Sequence, residues 1–106
     1  MKEQYEFFAT TEVPWTEGGQ GITQRVLSQA DDGTLTRIAR WAPGTITGDD
    51  VISHEYFEEV YLLEGSLTDL TLGKTFHQGD YAARRPGMPH GPYRTDEGCT
   101  MLETRY

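Results

Sequence analysis

Apolar and polar residues alternate at a period of two along much of this chain, the spacing of a strand with one buried face. In Thr34–Trp41 (TLTRIARW), Leu35, Arg37, Ala39 and Trp41 fall on one face, and Thr36, Ile38 and Arg40 on the other. Ser66–Leu72 sets Leu67 and Asp69 against Thr68 and Leu70. The tail from Cys99 sets Met101, Glu103 and Arg105 against Thr100, Leu102, Thr104 and Tyr106. Gly21–Ser28 and Glu59–Leu63 (EVYLL) add β-branched and aliphatic strand segments, the second closed by Glu64-Gly65. Thr75–Gln78 and Tyr81–Arg84 are shorter ones. Turn chemistry separates them: Asp31-Asp32-Gly33, Pro43-Gly44, Gly73-Lys74 and Gly79-Asp80. The run Pro86-Gly87-Met88-Pro89-His90 excludes a helix. No dozen residues carry a 3.6-residue stripe, and a short helix within residues 2–12 is the one helical alternative. Short strands at this spacing predict an all-β barrel or sandwich occupying residues 21–106. The first 20 residues read as a peripheral segment, an added strand or a short helix.

Composition narrows the function. The 106 residues suit one domain. Seventeen acidic against nine basic residues give a net charge of −8. That disfavours nucleic acid and anionic membrane surfaces as partners, since both need clustered Lys and Arg. No apolar run is long enough to span a bilayer. Met1–Tyr5 is polar with no apolar stretch of a leader, so the expectation is a cytoplasmic protein. The lone Cys99 permits neither an internal disulfide nor a multi-cysteine zinc site.

The chemistry-bearing candidates are histidines. His54 sits in Ser53-His54-Glu55-Tyr56-Phe57-Glu58-Glu59, just ahead of a strand, and His90 in a proline-rich loop. Two imidazoles and a carboxylate on one face suit iron, manganese, zinc, nickel or cobalt and leave positions open for a substrate. A histidine in so small a strand protein otherwise serves as a surface or core residue.

The spacing around these residues resembles the cupin family. Its first motif, G-x5-H-x-H-x3,4-E-x6-G, is matched at its end by Glu58 and Gly65, with His54 four residues before Glu58. Its second, G-x5-P-x-G-x2-H-x3-N, is matched by Gly79, Gly87 and His90. Arg85 stands at the proline position with Pro86 beside it, and Arg94 at the terminal asparagine. Within cupins the chain resembles the cupin domain of ChrR-type anti-sigma factors and acetylacetone-dioxygenase-like proteins. The matching segments are Ala42-Pro43-Gly44, Glu58–Leu67, Gly79-Asp80-Tyr81, Pro86–Pro92 and Gly98-Cys99.

This resemblance implies a jelly-roll-like β-barrel with a divalent metal, Fe(II) foremost, held by His54, Glu58 and His90. Mn, Zn, Ni and Co are the other candidates. It implies a small-molecule substrate and dioxygenase-like C–C cleavage of a dicarbonyl or enol compound, with isomerase or lyase chemistry on the same frame. It also admits a metal- or ligand-binding sensor domain, or a metal-free ligand-binding barrel. One motif histidine is missing. With His54 as the second histidine, Ile52 holds the place of the first. With His54 as the first, Tyr56 holds the place of the second. Tyr56, Asp50 or His77 is the candidate fourth donor.

Tyr56, Glu59 and Arg94 are the candidate catalytic residues. Tyr56 is a proton donor, a ligand or plain packing beside Phe57. Glu59 moves protons only if it turns inward, and strand alternation points it outward. Only one of Arg84 and Arg85 can face the interior. Arg94 shares a face with His90 if the strand is regular, where a guanidinium would hold a carboxylate or enolate. Each arginine otherwise pairs with one of the many acids, and Arg40 has the same two uses. His77 reads as an exposed turn residue, Asp31-Asp32 and Asp49-Asp50 as turns, and Cys99 as a core thiol. Trp41, Tyr61, Phe76, Tyr81, Met88 and Met101 are core or pocket-wall candidates. A homodimer is expected, with Tyr5, Phe7 and Phe8 adding a strand to a partner or to their own barrel.

Overall fold

A computed structural model describes residues 1–106. Its elements are a 3-10 turn at Thr10–Glu12 and eight strands. The strands are β1 (Thr16–Gly19), β2 (Ile22–Gln29), β3 (Leu35–Trp41), β4 (Glu58–Asp69), β5 (Lys74–His77), β6 (Tyr81–Arg84), β7 (Tyr93–Arg94) and β8 (Cys99–Arg105). All pairings are antiparallel. The fold is all-β, and no helix is long and apolar enough to cross a membrane.

β4 organises the molecule. Residues 58–65 pair with β8 on one side, and 58–61 with β6 on the other. Beyond them, 66–69 pair with β5 and 68–69 with β7. The strand therefore leaves one sheet, in the order β1-β2-β3-β8-β4 with β6 beyond, and enters a second made with β5 and β7. The turn chemistry of Glu64-Gly65 suggested a strand end, but the strand runs through. Gly65 has φ +80°, and a Cβ there would overlap the carbonyl oxygen of Gly98. Glycine alone takes that backbone conformation without penalty and lets β8 come close.

The alternation read from the sequence becomes the inner face. Ala39, Trp41, Val60, Leu62, Leu67, Tyr93, Cys99 and Met101 form the buried cluster, with Ile22, Phe76 and Ala82 against it. The same face turns polar toward one end. There Arg37 lies across from Glu103, and Glu58 lies between Arg84 and Arg105.

In the first 20 residues, β1 pairs with the edge of β2. Trp15 is gripped between two guanidiniums, Arg25 at 4.2 Å and Arg40 at 4.0 Å from its ring centre. Arg25 Nε also donates to the Val13 carbonyl at 2.8 Å. Arg40 is thereby used on the outside of the barrel.

Two outcomes follow from this packing. Replacing Gly65 with Ala should cost at least about 2 kcal/mol in urea unfolding, since the left-handed backbone and the steric overlap both penalise a side chain. Burial on β8 raises the Cys99 thiol to about 11. Iodoacetamide at pH 8 should therefore leave the native protein unlabelled and label it fully after denaturation.

Candidate metal centre

An antiparallel bridge between two loops builds the site. Ile52 and His90 exchange both backbone hydrogen bonds, each 2.8 Å long. A third bond, from Gly87 N to the His54 carbonyl at 2.7 Å, ties the proline-rich loop to the same segment. Extended backbone then sorts the side chains: Val51, Ser53 and Glu55 are exposed, while Ile52, His54 and Tyr56 are half-buried and Glu58 is buried. Residues directly opposite in an antiparallel pair share a face, so Ile52 stands beside His90. Both residues that could stand for the missing histidine lie on this side of the segment: Ile52 opposite His90, and Tyr56 beside His54.

His54, Glu58 and His90 converge, their potential ligand atoms all within 4.8 Å of one another. The His54 and His90 ring centres are 4.9 Å apart. His90 Nδ1 lies 3.1 Å from the Met88 carbonyl. With Nδ1 donating there, Nε2 keeps its lone pair for a ligand. Burial, foremost, holds the His90 pKa below the ordinary imidazole value, against the raising effect of the hydrogen bond it gives the Met88 carbonyl. His90 is accordingly neutral near pH 7, the form that binds metals.

The donor set fits a borderline divalent metal. Two protein donors on one such ion stand about 3 Å apart at adjacent positions, given metal–nitrogen bonds of about 2.1 Å. The triad has to contract modestly to close. Neither Asp50 nor His77 is part of it, and both are exposed. Tyr56 touches it only by stacking on His54, with ring centres 4.7 Å apart and planes within 10°. The Arg105 guanidinium lies 5.0 Å from the centre of the Tyr56 ring. Burial raises the Tyr56 pKa, so its phenol stays protonated.

Glu58 is also the counter-ion of two arginines. Strand register places Arg84 and Arg105 directly across from it on β6 and β8. Arg84 Nη1 donates to Oε1 at 2.7 Å, and Arg105 Nε lies 3.7 Å from Oε2. Arg84 Nη2 donates to the Tyr93 hydroxyl at 2.7 Å. Burial foremost raises the Tyr93 pKa and keeps that phenol neutral. One step along the same face, Arg37 binds Glu103 at 2.5 Å and donates to Gln24 Oε1 at 2.7 Å.

Two cavities adjoin this polar end. The smaller, about 120 Å³, is walled mainly by Val60, Leu62, Leu67, Phe76 and Met101. The larger, about 320 Å³, is walled by His90, Met88, Asp69 and Leu72 among others. Arg84, Tyr93, Phe76 and Ala82 line both.

The other candidates fall elsewhere. Glu59 lies on the outer face, where it accepts from Tyr81 Oη at 2.5 Å and Tyr106 Oη at 2.6 Å. Arg94 alternates outward from buried Tyr93 and pairs with Asp96 at 3.0 Å. Neither reaches the triad. The arginines that do are Arg84 and Arg105, and Arg85 beside Arg84 is exposed. Tyr61 is exposed on the outer face, whereas Phe76, Tyr81, Met88 and Met101 do line a cavity. Tyr93, which the sequence reading missed, lies three residues beyond His90 on a two-residue strand too short to show a period.

Comparison with known proteins agrees with this architecture. A family model described as the ChrR Cupin-like domain matches residues 3–105. No curated protein matches in sequence. Among solved structures, an RmlC-like cupin from Shewanella frigidimarina superposes with a TM-score of 0.77 at 18% identity, covering 98% of this chain and 91% of that one. An acetylacetone dioxygenase from Acinetobacter johnsonii gives 0.74 at 18% identity, covering 97% and 73%. The anti-sigma factor ChrR of Rhodobacter sphaeroides, solved with SigE, gives 0.67 at 21% identity, covering 90% of this chain and 50% of that one. At such identities these structures establish the cupin fold and nothing finer.

The Arg37–Glu103 pair makes a stability prediction. Glu103→Ala leaves a buried guanidinium with Gln24 alone and should cost about 3 kcal/mol. Replacing both residues with Met should recover most of that loss, read as a coupling energy in a double-mutant cycle.

Proposed function

We propose that this chain, which belongs to the ChrR cupin-like domain family, is a metal-dependent enzyme that cleaves a small dicarbonyl or enol compound with O₂. The convergence of His54, Glu58 and His90, with His90 on the wall of the larger cavity, carries this proposal. A divalent ion held there, Fe(II) foremost, supplies Lewis acidity toward a chelating enol oxygen and open positions for further ligands.

The chain's own residues set the conditions. The Met88 carbonyl orients the His90 ring, and His90 presents a neutral nitrogen. Ile52, opposite His90, offers no donor atom, so the candidate set is three side chains. Tyr56 stacks on His54 and carries a protonated phenol, a proton donor in reserve beside the triad. Apolar walls from Val60, Leu62, Leu67, Phe76 and Met101 take the carbon skeleton and exclude water.

A sensing domain built on the same centre is the second reading, favoured by the ChrR description of the matching family. Protein produced in iron-supplied medium should carry about one metal per chain by elemental analysis, falling at least tenfold in His54→Ala and His90→Ala. Acetylacetone and related dicarbonyls should then drive oxygen uptake by the wild type and not by these variants. Stoichiometric metal with no turnover across the panel favours the sensor. Protein that takes up none of iron, manganese, zinc, nickel or cobalt overturns the proposal.

A further inference from the structure

Glu58 answers to two claims at once. It is the one carboxylate of the metal triad, and it is the counter-ion flanked by Arg84 and Arg105 in a row across β6, β4 and β8. The Arg84 side chain is only 12% exposed, and Glu58 6%. A guanidinium does not lose its proton in a protein, so this positive charge cannot be relieved by titration. When Glu58 engages a divalent metal, the site gains two positive charges and the one carboxylate on Arg84 is divided between two cations.

The other charges nearby do not replace it. Glu103 is taken by Arg37. Asp69 is buried on the larger cavity wall, but its Oδ1 accepts the backbone N–H groups of Thr71 and Leu72. Asp80 borders the smaller cavity, with Oδ2 accepting the N–H of His77. Arg105 has no hydrogen-bond partner for its Nε and stands 3.7 Å from Glu58. The balance with metal present calls for an anion from outside.

We propose that the ligand of this site is a small organic anion, whose carboxylate or enolate oxygen takes donors of Arg84 when the charge of Glu58 is drawn to the metal. This rests on the metal reading above and narrows its substrate class to oxygen-chelating anions such as oxo acids and enolates. Arg84 and Tyr93 line both cavities, and His90 lines the larger one. An anion on Arg84 is therefore within the same chamber as a metal ligand. The planar guanidinium offers paired donors to a carboxylate, which a neutral ketone would use less well. The Tyr93 hydroxyl accepts from Arg84 and so has its own O–H free to donate to the same anion. Arg84 acts here as a specificity residue, and the apolar wall of Phe76 and Ala82 receives a short alkyl tail.

The test compares 2-oxobutanoate with 2,3-pentanedione, which differ in having a carboxylate or a neutral acetyl group. Both are titrated calorimetrically into zinc-loaded wild type, Arg84→Gln and Arg84→Lys, and zinc alone is titrated into each metal-free protein. The wild type should bind the oxo acid at least about tenfold more tightly than the diketone, and Arg84→Gln should lose that preference. Zinc affinity without the anion should rise about tenfold in Arg84→Gln, because Glu58 is then freed for the metal. If Arg84→Gln does not fold, Arg84→Lys carries the test, since it keeps the charge without the fork and should lose most of the preference. Equal binding of the two probes by the wild type overturns the proposal, as does a preference that survives in the variants. Failure of the metal reading is separable: if the wild type binds no zinc, the probes are titrated into metal-free protein. Arg84-dependent capture of the oxo acid then supports an anion site without metal, and its absence overturns both readings.

Discussion

The row Arg84–Glu58–Arg105 is the interaction on which the rest of the site depends. It is created by register: β6 and β8 flank the first residue of β4, and antiparallel pairing puts all three side chains on the inner face. A carboxylate buried there without partners would be strongly penalised. The two guanidiniums make its burial tolerable and aim it beside His54 and His90. The same row loads the site with positive charge that no proton transfer removes. Candidate metal donor, internal counter-ion and proposed anion subsite thus all go back to one alignment.

β4 can serve this purpose only because it belongs to both sheets. Its first half carries Glu58 and the apolar residues Val60 and Leu62; its second half carries Leu67 and Asp69 under the cavities. Gly65 joins them with a left-handed backbone and a close approach to Gly98. The inner face then separates into an apolar end around Trp41, Cys99 and Met101 and a polar end around Glu58, Glu103 and their arginines. The apolar end gives the barrel its cohesion, and the polar end remains open to solutes. A barrel of this size has few buried apolar residues to spare, and locating the polar residues at one end keeps the remainder contiguous.

Much of this was legible in the chain. The period-two alternation of β3 and β8 assigns Ala39, Trp41, Cys99 and Met101 to the interior, because side-chain direction in a strand is a local property. Glu58, Gly65, Gly79, Gly87 and His90 lie within short segments whose spacing is readable, and His54 is four residues from Glu58. What misled was adjacency across strands. Arg94 looked inward because it is four residues from His90, but the loop through Pro92 is not regular strand, and buried Tyr93 turns Arg94 outward. Arg84 could be narrowed to one of two neighbours and no further. Glu59 was expected to face outward, and it does, held by Tyr81 and Tyr106.

The amino-acid sequence by itself determined the all-β class, the turn positions and the inner and outer faces of the regular strands, while the candidate triad came from its resemblance to the cupin motifs. These depend on spacing within a segment, where backbone geometry alone relates one residue to the next. Only the tertiary structure decided that Ile52 lies across from His90. It alone decided that Arg84 rather than Arg94 faces the triad, that Tyr93 joins it, and that Glu58 is shared between a metal site and two cations. Each of those facts is a pairing between segments distant in the chain, set by strand register and loop bridging, and no period within one segment encodes it.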